Sequence, residues 1–252
     1  MITMEFETRL QDIEKNLTNI VSGYKDPHNI TIIIPYYHDK NTDRMKEIDL
    51  ALKLNTMNKL FSRIVIINET NEKINIIDET DKRIVVVNVD KRYTFNDFFL
   101  YSNQHTSDDT INILINTDIV IGEQFDSIVL TDKQSICLSR YEILDENKYG
   151  VVIGGGSHDC WMWKGKIVDT IGNFQMGKQH CDGILANELH VNGYILKNPV
   201  YDVKIYHLHI SAVRNYTFQN DMIYGQRRGV TFTKNDNVFT LNDTYNDGGL
   251  WD

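Results

Sequence analysis

Residues 30–35 read ITIIIP, a run of aliphatic side chains closed by a proline. A strand with one wet face alternates apolar and polar residues. Unbroken apolarity instead marks a strand covered on both faces, the condition inside a parallel sheet. The pattern recurs in RIVIIN at 63–68 and RIVVVNV at 83–89, and a fourth apolar stretch, ILINTDIVIGE, occupies 113–123. Between them, residues 42–60 place Met45, Ile48, Ala51 and Leu52 on one side of a helix, and Tyr93–Asn103 reads as another. Strand, helix, strand, strand, helix, strand predicts an α/β fold with a mostly parallel sheet flanked by helices.

Upstream, Phe6, Leu10, Ile13, Leu17 and Ile20 draw one apolar stripe along a helix over 5–21. The stripe could serve a homo-oligomer, but packing against the chain's own domain is the better reading. Ser22-Gly23 and Asp26-Pro27 stop this helix. Downstream the pattern is less regular. Ser135–Arg140, Tyr149–Gly154, Tyr194–Lys197 and Val203–His209 read as strands, and Cys181–Asn192 as a helix. Beyond 217 the chain is polar and rich in Asn and Asp. The expected organisation is an N-terminal amphipathic helix at 1–28, a domain at 29–216 with halves at 29–125 and 126–216, and an irregular tail or lid at 217–252.

A chain of 252 residues can bury a core without disulfide staples. Cys137, Cys160 and Cys181 fit no CxxC zinc or redox spacing. A net charge of −9 opposes a polyanionic partner, so nucleic acid is not expected. A phosphorylated small molecule can still be held by a local cation or a metal. The start, MITMEFETRLQD, lacks the apolar centre of a signal peptide, and no apolar run approaches the ~18 residues of a membrane span. A cytoplasmic location without a membrane span is the expectation.

Parallel sheets bind ligands beyond the carboxyl ends of their strands. Those ends carry Pro35-Tyr36-Tyr37, Asn68-Glu69, Asp90-Lys91-Arg92 and Asn116-Thr117-Asp118. Asn116 and Asp118 lie two apart, so in a strand they point the same way, ~6.6 Å from each other. Two oxygen-bearing side chains so placed can hold a divalent cation and a diphosphate bridged to it. The competing reading is a turn in which Asp118 bonds nearby backbone N–H groups. No GxGxxG follows the first strand, and neither GxxxxGK[ST] nor GxSxG occurs. Gly154-Gly155-Gly156 lacks the spacing of a phosphate loop and reads as a flexible connection.

A strand ending in PYY, then RYTFNDFF, then ILINTDIVI resembles GT-A-type nucleotide-sugar glycosyltransferases. The ordered series CLSRYEI, HDCWMWKGK, CDGILANELHVNGYILKNP and IYHLHISAVRNY is similar to small glycosyltransferase-like proteins of viruses and microbes. The resemblance covers roughly residues 30–216 and implies a GT-A-like, Rossmann-type mixed sheet. It implies a nucleoside diphosphate sugar as donor, a glycan or small hydroxyl compound as acceptor, and Mn²⁺ or Mg²⁺ as cofactor. Carried over by position, Pro35 and Tyr36 would line the base with Glu69 nearby. Arg92 and Asn96 would approach ribose or phosphates, and Asp118 would ligate the metal. Asn116 stands where the family more often has an acid, a departure that weakens the expected metal affinity.

His207 and His209 share one strand face, and imidazole suits Mn²⁺. Either could be the late metal ligand, with His207 placed first; a surface pair stacked near tyrosines is the alternative. Asp182 and Asp159 are the candidate bases for the acceptor hydroxyl, Asp182 placed first. Asp182 could equally cap a helix. Trp161 and Trp163 could stack on an acceptor sugar, though tryptophans more often belong to a core. Arg214 fits a phosphate or a structural acid equally. Rival readings are a non-catalytic nucleotide-sugar or glycan-binding module of the same fold, and a metal-dependent phosphoesterase built on Asp118, His207 and His209.

Overall fold

The structure, a computed structural model, describes residues 2–70, 72–145, 148–151, 157–211, 213, 222–232 and 250–251. A helix, α1 (Ile2–Val21), precedes β1 (His28–Tyr36), α2 (Thr42–Met57), β2 (Phe61–Asn68), β3 (Ile84–Asn88), α3 (Phe95–His105), β4 (Ile111–Ile115) and β5 (Ile119–Ile121). There follow β6 (Gln134–Leu138), β7 (Tyr141–Asp145), β8 (Lys148–Val151), β9 (Cys160–Lys164), α4 (Cys181–Val191), β10 (Ile195–Lys197), β11 (Ile205–His207), β12 (Arg227–Arg228) and β13 (Leu250–Trp251).

Seven strands form the main sheet in the order β10-β6-β9-β4-β1-β2-β3. All neighbours run parallel except β9, which is antiparallel to both β4 and β6. The expected mixed, mostly parallel α/β sheet is therefore what forms. β1 shows why its sequence is continuously apolar. Ile32 and Ile34 face one cluster with Ile48 and Leu52 of α2, while Ile33 faces the other with Phe98 and Phe99 of α3. Each such fully buried side chain contributes roughly 1.5–3 kcal/mol of transfer free energy. β3 lies at the sheet edge and is only half covered.

A smaller sheet, β5-β11-β7-β8, stands beside the first. Its floor is α1, whose Leu10, Ile13, Leu17 and Val21 pack on Leu50, Ala51 and Leu54 of α2 and on Tyr206 and Leu208. The apolar stripe of α1 is thus buried within the chain. No helix among the described residues is long and apolar enough to cross a membrane.

Two stretches depart from the sequence reading. ILINTDIVIGE is two strands in two sheets, β4 and β5, joined by a tight turn at 116–118 in which the Ile119 N–H bonds the Asn116 carbonyl at 3.2 Å. CWMWK, read as a site motif, is the interior antiparallel strand β9. Trp161 and Trp163 are each 1% exposed and packed edge-on against Phe95 and Phe99. Their placement as sugar-stacking residues is corrected, because both rings are core. Arg214, Gly154-Gly155-Gly156 and most of the expected tail lie outside the described residues.

Candidate active site

Strand order reverses between β1 and β4, and a cleft at such a switch opens at the carboxyl ends of the two strands. The β4–β5 turn places Asp118 there. β5 pairs with β11, setting Ile119 opposite His207, and the Leu208 N–H bonds the Asp118 carbonyl at 2.9 Å. Residues 89 apart in sequence are thereby held side by side by backbone ladders.

Asp118 is 8% exposed and its Oδ2 accepts two hydrogen bonds. One comes from Arg44 Nη2 and one from His207 Nε2 at 3.0 Å. The other imidazole nitrogen of His207 lies 2.8 Å from Glu142 Oε2. With a carboxylate at each nitrogen the ring is an imidazolium. Burial works against its charge, but Asp118 and Glu142 outweigh burial and push its pKa up to about 9. Burial likewise opposes ionisation of Asp118, and His207 and Arg44 overcome it, holding that carboxyl far below the usual range.

His209 differs. Its ring centroid is 5.1 Å from that of His207. Among the described residues its buried Nε2 has no hydrogen-bond partner. Burial, then the charges of His207 and Arg44, push its pKa down to about 4, so it is a neutral imidazole. Ligand atoms of Asp118, His207 and His209 all lie within 4.8 Å of one another. A carboxylate oxygen and a neutral imidazole are the donor set of Mn²⁺ or Zn²⁺ sites, and the orphaned Nε2 fits a cation. Asp118 and His209 offer the open positions, while His207 bonds on both sides and braces Asp118.

Arg44 lies in the first turn of α2 and is 6% exposed. Its Nη1 donates to Glu47 Oε2 and to the Leu208 carbonyl, both at 2.9 Å. Glu47, fully buried, accepts from the Ser211 N–H at 2.5 Å and the Ser211 hydroxyl at 2.9 Å. One helical turn therefore grips both the strand-end turn and the segment carrying His209.

The acid side begins at Arg140, just past β6. Its Nε donates to Glu142 Oε1 at 2.7 Å, and its Nη1 lies 2.9 Å from each oxygen of Asp159. Asn116 Nδ2 donates to Asp159 Oδ1 at 2.5 Å, so that amide serves the acid pair and is not a stand-in for a second metal carboxylate. Asp182 is on the next wall. It receives weak bonds, from the His158 N–H at 3.4 Å and the Cys181 thiol at 3.3 Å. Burial first, and the Asp159 charge second, push its pKa up to about 7. Asp182 is not the cap of its helix: the N-cap position is His180, in a left-handed conformation with φ 71°, and its side chain makes no capping hydrogen bond.

No family model matches the chain, and no curated protein matches it. Solved structures do. One is a crystal structure of GalNAc-T7 with UDP, GalNAc and Mn²⁺, at 13% identity and TM-score 0.33, covering 50% of this chain and 25% of that one. A putative glucose-1-phosphate thymidylyltransferase from Bacillus anthracis matches at 11% identity and TM-score 0.39, over 76% of this chain and 98% of that one. The 2-C-methyl-D-erythritol 4-phosphate cytidylyltransferase of Francisella tularensis matches at 16% and 0.32, over 67% and 83%. The chain spans about a quarter of the first of these. With every TM-score below 0.4, the reading of the site rests on its own geometry.

Of the expected donor residues, Pro35 is the penultimate residue of β1, opposite Ile67. Tyr36 is corrected: it is buried, and its hydroxyl donates to Asp49 of α2 at 2.8 Å, away from the cleft. The next residue, Tyr37, lies beside Arg44 with the Arg92 guanidinium 6.0 Å from its ring. Arg92 also donates to the Met176 carbonyl at 2.8 Å. Glu69 accepts from the Tyr93 N–H at 3.2 Å, and burial raises its pKa. Asn96 is corrected too. Its amide holds the carbonyls of Asp169 and Ile171, so it fastens a loop.

Sequence reasoning placed Tyr37 at a strand end without giving it a role, and missed Arg44, Glu47, Arg140 and Glu142. Arg140 was within reach, since the strand read over Ser135–Arg140 ends on it, and Glu142 follows two positions later. Arg44 and Glu47 carry no such signal, because a charged pair in a first helical turn is ordinary on any surface helix.

Proposed function

We propose that this chain transfers a sugar from a nucleoside diphosphate sugar to a hydroxyl of a glycan or small acceptor, with a divalent cation assisting. The observation that carries the reading is the convergence of Asp118 and His209 at the β1–β4 switch, joined through His207, Glu142 and Arg140 to the acids Asp159 and Asp182. Asp118 and His209 would hold Mn²⁺ or Mg²⁺, which when bound neutralises the departing diphosphate. Arg92 and Tyr37 stand on the donor side. Arg44 keeps Asp118 Oδ2 occupied, and among the described residues no hydrogen bond engages Oδ1, the oxygen left for a cation. Asp182 is the base: its weak donors leave the carboxylate reactive, and a pKa near 7 suits proton removal at neutral pH.

A thermal-shift screen of nucleoside diphosphates and their sugars, with and without Mn²⁺, tests donor class and metal together. A Mn²⁺-dependent rise in Tm with at least one donor is expected. Asp118→Ala should remove that rise and lower turnover about 100-fold or more. No shift with any donor, and an unaltered Asp118→Ala variant, would end the proposal.

The amide of Asn116, committed to Asp159, favours one second reading: a binding module of the same fold that holds a donor without transferring it. Saturable donor binding with no turnover across a broad acceptor panel would select it. A phosphoesterase on the same three residues is disfavoured, since one cluster of three candidate ligands is found among the described residues.

A further inference from the structure

Two acids stand together here, Asp159 buried and Asp182 half-buried, and Arg140 touches only one of them among the hydrogen bonds of the described residues. Its Nη1 meets both oxygens of Asp159, and Asn116 adds a third bond. Asp159 is 2% exposed and its backbone N–H is tied to the Leu138 carbonyl at 2.9 Å, so the carboxylate is fixed at both ends. Asp182 lies against the peptide N–H of His158, the residue next to Asp159, with no cation bonded to it among the described residues. Arg140 also reaches Glu142, which holds His207, which holds Asp118. An unbroken chain of alternating charge thus runs from the candidate cation site to the acid pair.

We propose that Arg140 is a positioning residue that locks Asp159 as the fixed member of the pair and leaves Asp182 as the member free to take the acceptor's proton. This inference rests on the transferase reading for its purpose, but not for its test. Two carboxylates at close quarters cannot both ionise freely, and a cation bonded to one of them decides which gives way. The groups facing Asp182 are Cys181 on its own helix, His158 and Asp159 before β9, Cys137 on β6, and Arg140. β12 brings Arg227 against α4 at Gly183.

The test is a ¹³C NMR titration of the full chain labelled at the aspartate carboxyls, with Asp182 identified by difference from Asp182→Asn and Asp159 from Asp159→Asn. In Arg140→Gln the Asp182 midpoint should rise by about 1 pH unit, since a cation is lost and the Asp159 charge is left unbalanced. Arg140→Lys should restore most of it. In the double variant Arg140→Gln/Asp159→Asn the midpoint should instead fall below wild type, because the like charge has gone. Should the single variant fail to fold, the double variant decides alone. An Asp182 midpoint that is the same in every variant overturns the proposal, as does a wild-type proton that titrates on Asp159. If transfer is detected, Arg140→Gln should lower kcat with donor KM little changed and move the acid limb of the pH profile upward. A titration that behaves as stated in a chain that turns over no nucleotide sugar would sink the transferase reading while leaving the acid-pair assignment in place.

Discussion

Asp118 and Asp182 stand in opposite electrostatic settings. Asp118 is ionised against Arg44 and a charged His207, whereas burial and Asp159 raise Asp182 to about 7. The consequence for stability has a definite sign. An unfolded aspartate titrates near ~3.9, so between about pH 4 and 7 the folded state holds the extra proton at Asp182. Stability from this group therefore falls as pH rises through that window and is flat above it. Asp182→Asn should stabilise the protein at pH 8 by about 2 kcal/mol, allowing for partial exposure, or roughly 5 °C in Tm. At pH 5 the change should be much smaller. Melting curves at the two pH values check this, and an equal shift at both would refute it. Asp182 was legible from its place before an apolar helix, but its protonation was not, because that depends on Asp159, 23 positions away and set by a different strand.

The element that does most to shape the site is the three-residue turn between β4 and β5. Alternating strand geometry would have kept Asn116 and Asp118 on one face. The turn instead sends Asn116 to Asp159 and Asp118 to Arg44 and His207. Period-two reasoning could not see this, since the aliphatic run resumes after the turn as though uninterrupted. β1, β2 and β3 were legible as unbroken apolar runs, and α1 and α2 from apolar residues spaced along one side. β9 was not, because its two tryptophans looked like binding residues. The loop over 166–180 depends on a glycine. Gly172 has φ 72°, and a Cβ there would come within 2.6 Å of the Phe95 Cβ. Gly172→Ala should cost more than ~1 kcal/mol and loosen the loop that Asn96 fastens. Urea unfolding, with proteolysis of the 166–180 segment, measures both effects. Wild-type stability and cleavage rate in the variant would contradict it.

For the molecule as a whole, α1 is the part whose role the sequence left most open. Leu17 is fully buried within the cluster beneath the small sheet. Leu17→Ala should cost about 3 kcal/mol and shift a single cooperative melt. A first transition belonging to α1 alone would show instead that the helix is loosely attached. The antiparallel strand β9 also bears on how the chain must be built. β9 fills the slot between β4 and β6 and arrives about 45 residues after β4 in synthesis. Until it emerges from the ribosome, Ile113, Leu114 and Ile115 present a bare apolar margin open to pairing with another nascent copy. A fragment halted near residue 125 would carry that margin permanently, so the boundary between the two halves is no safe place to divide this protein for expression.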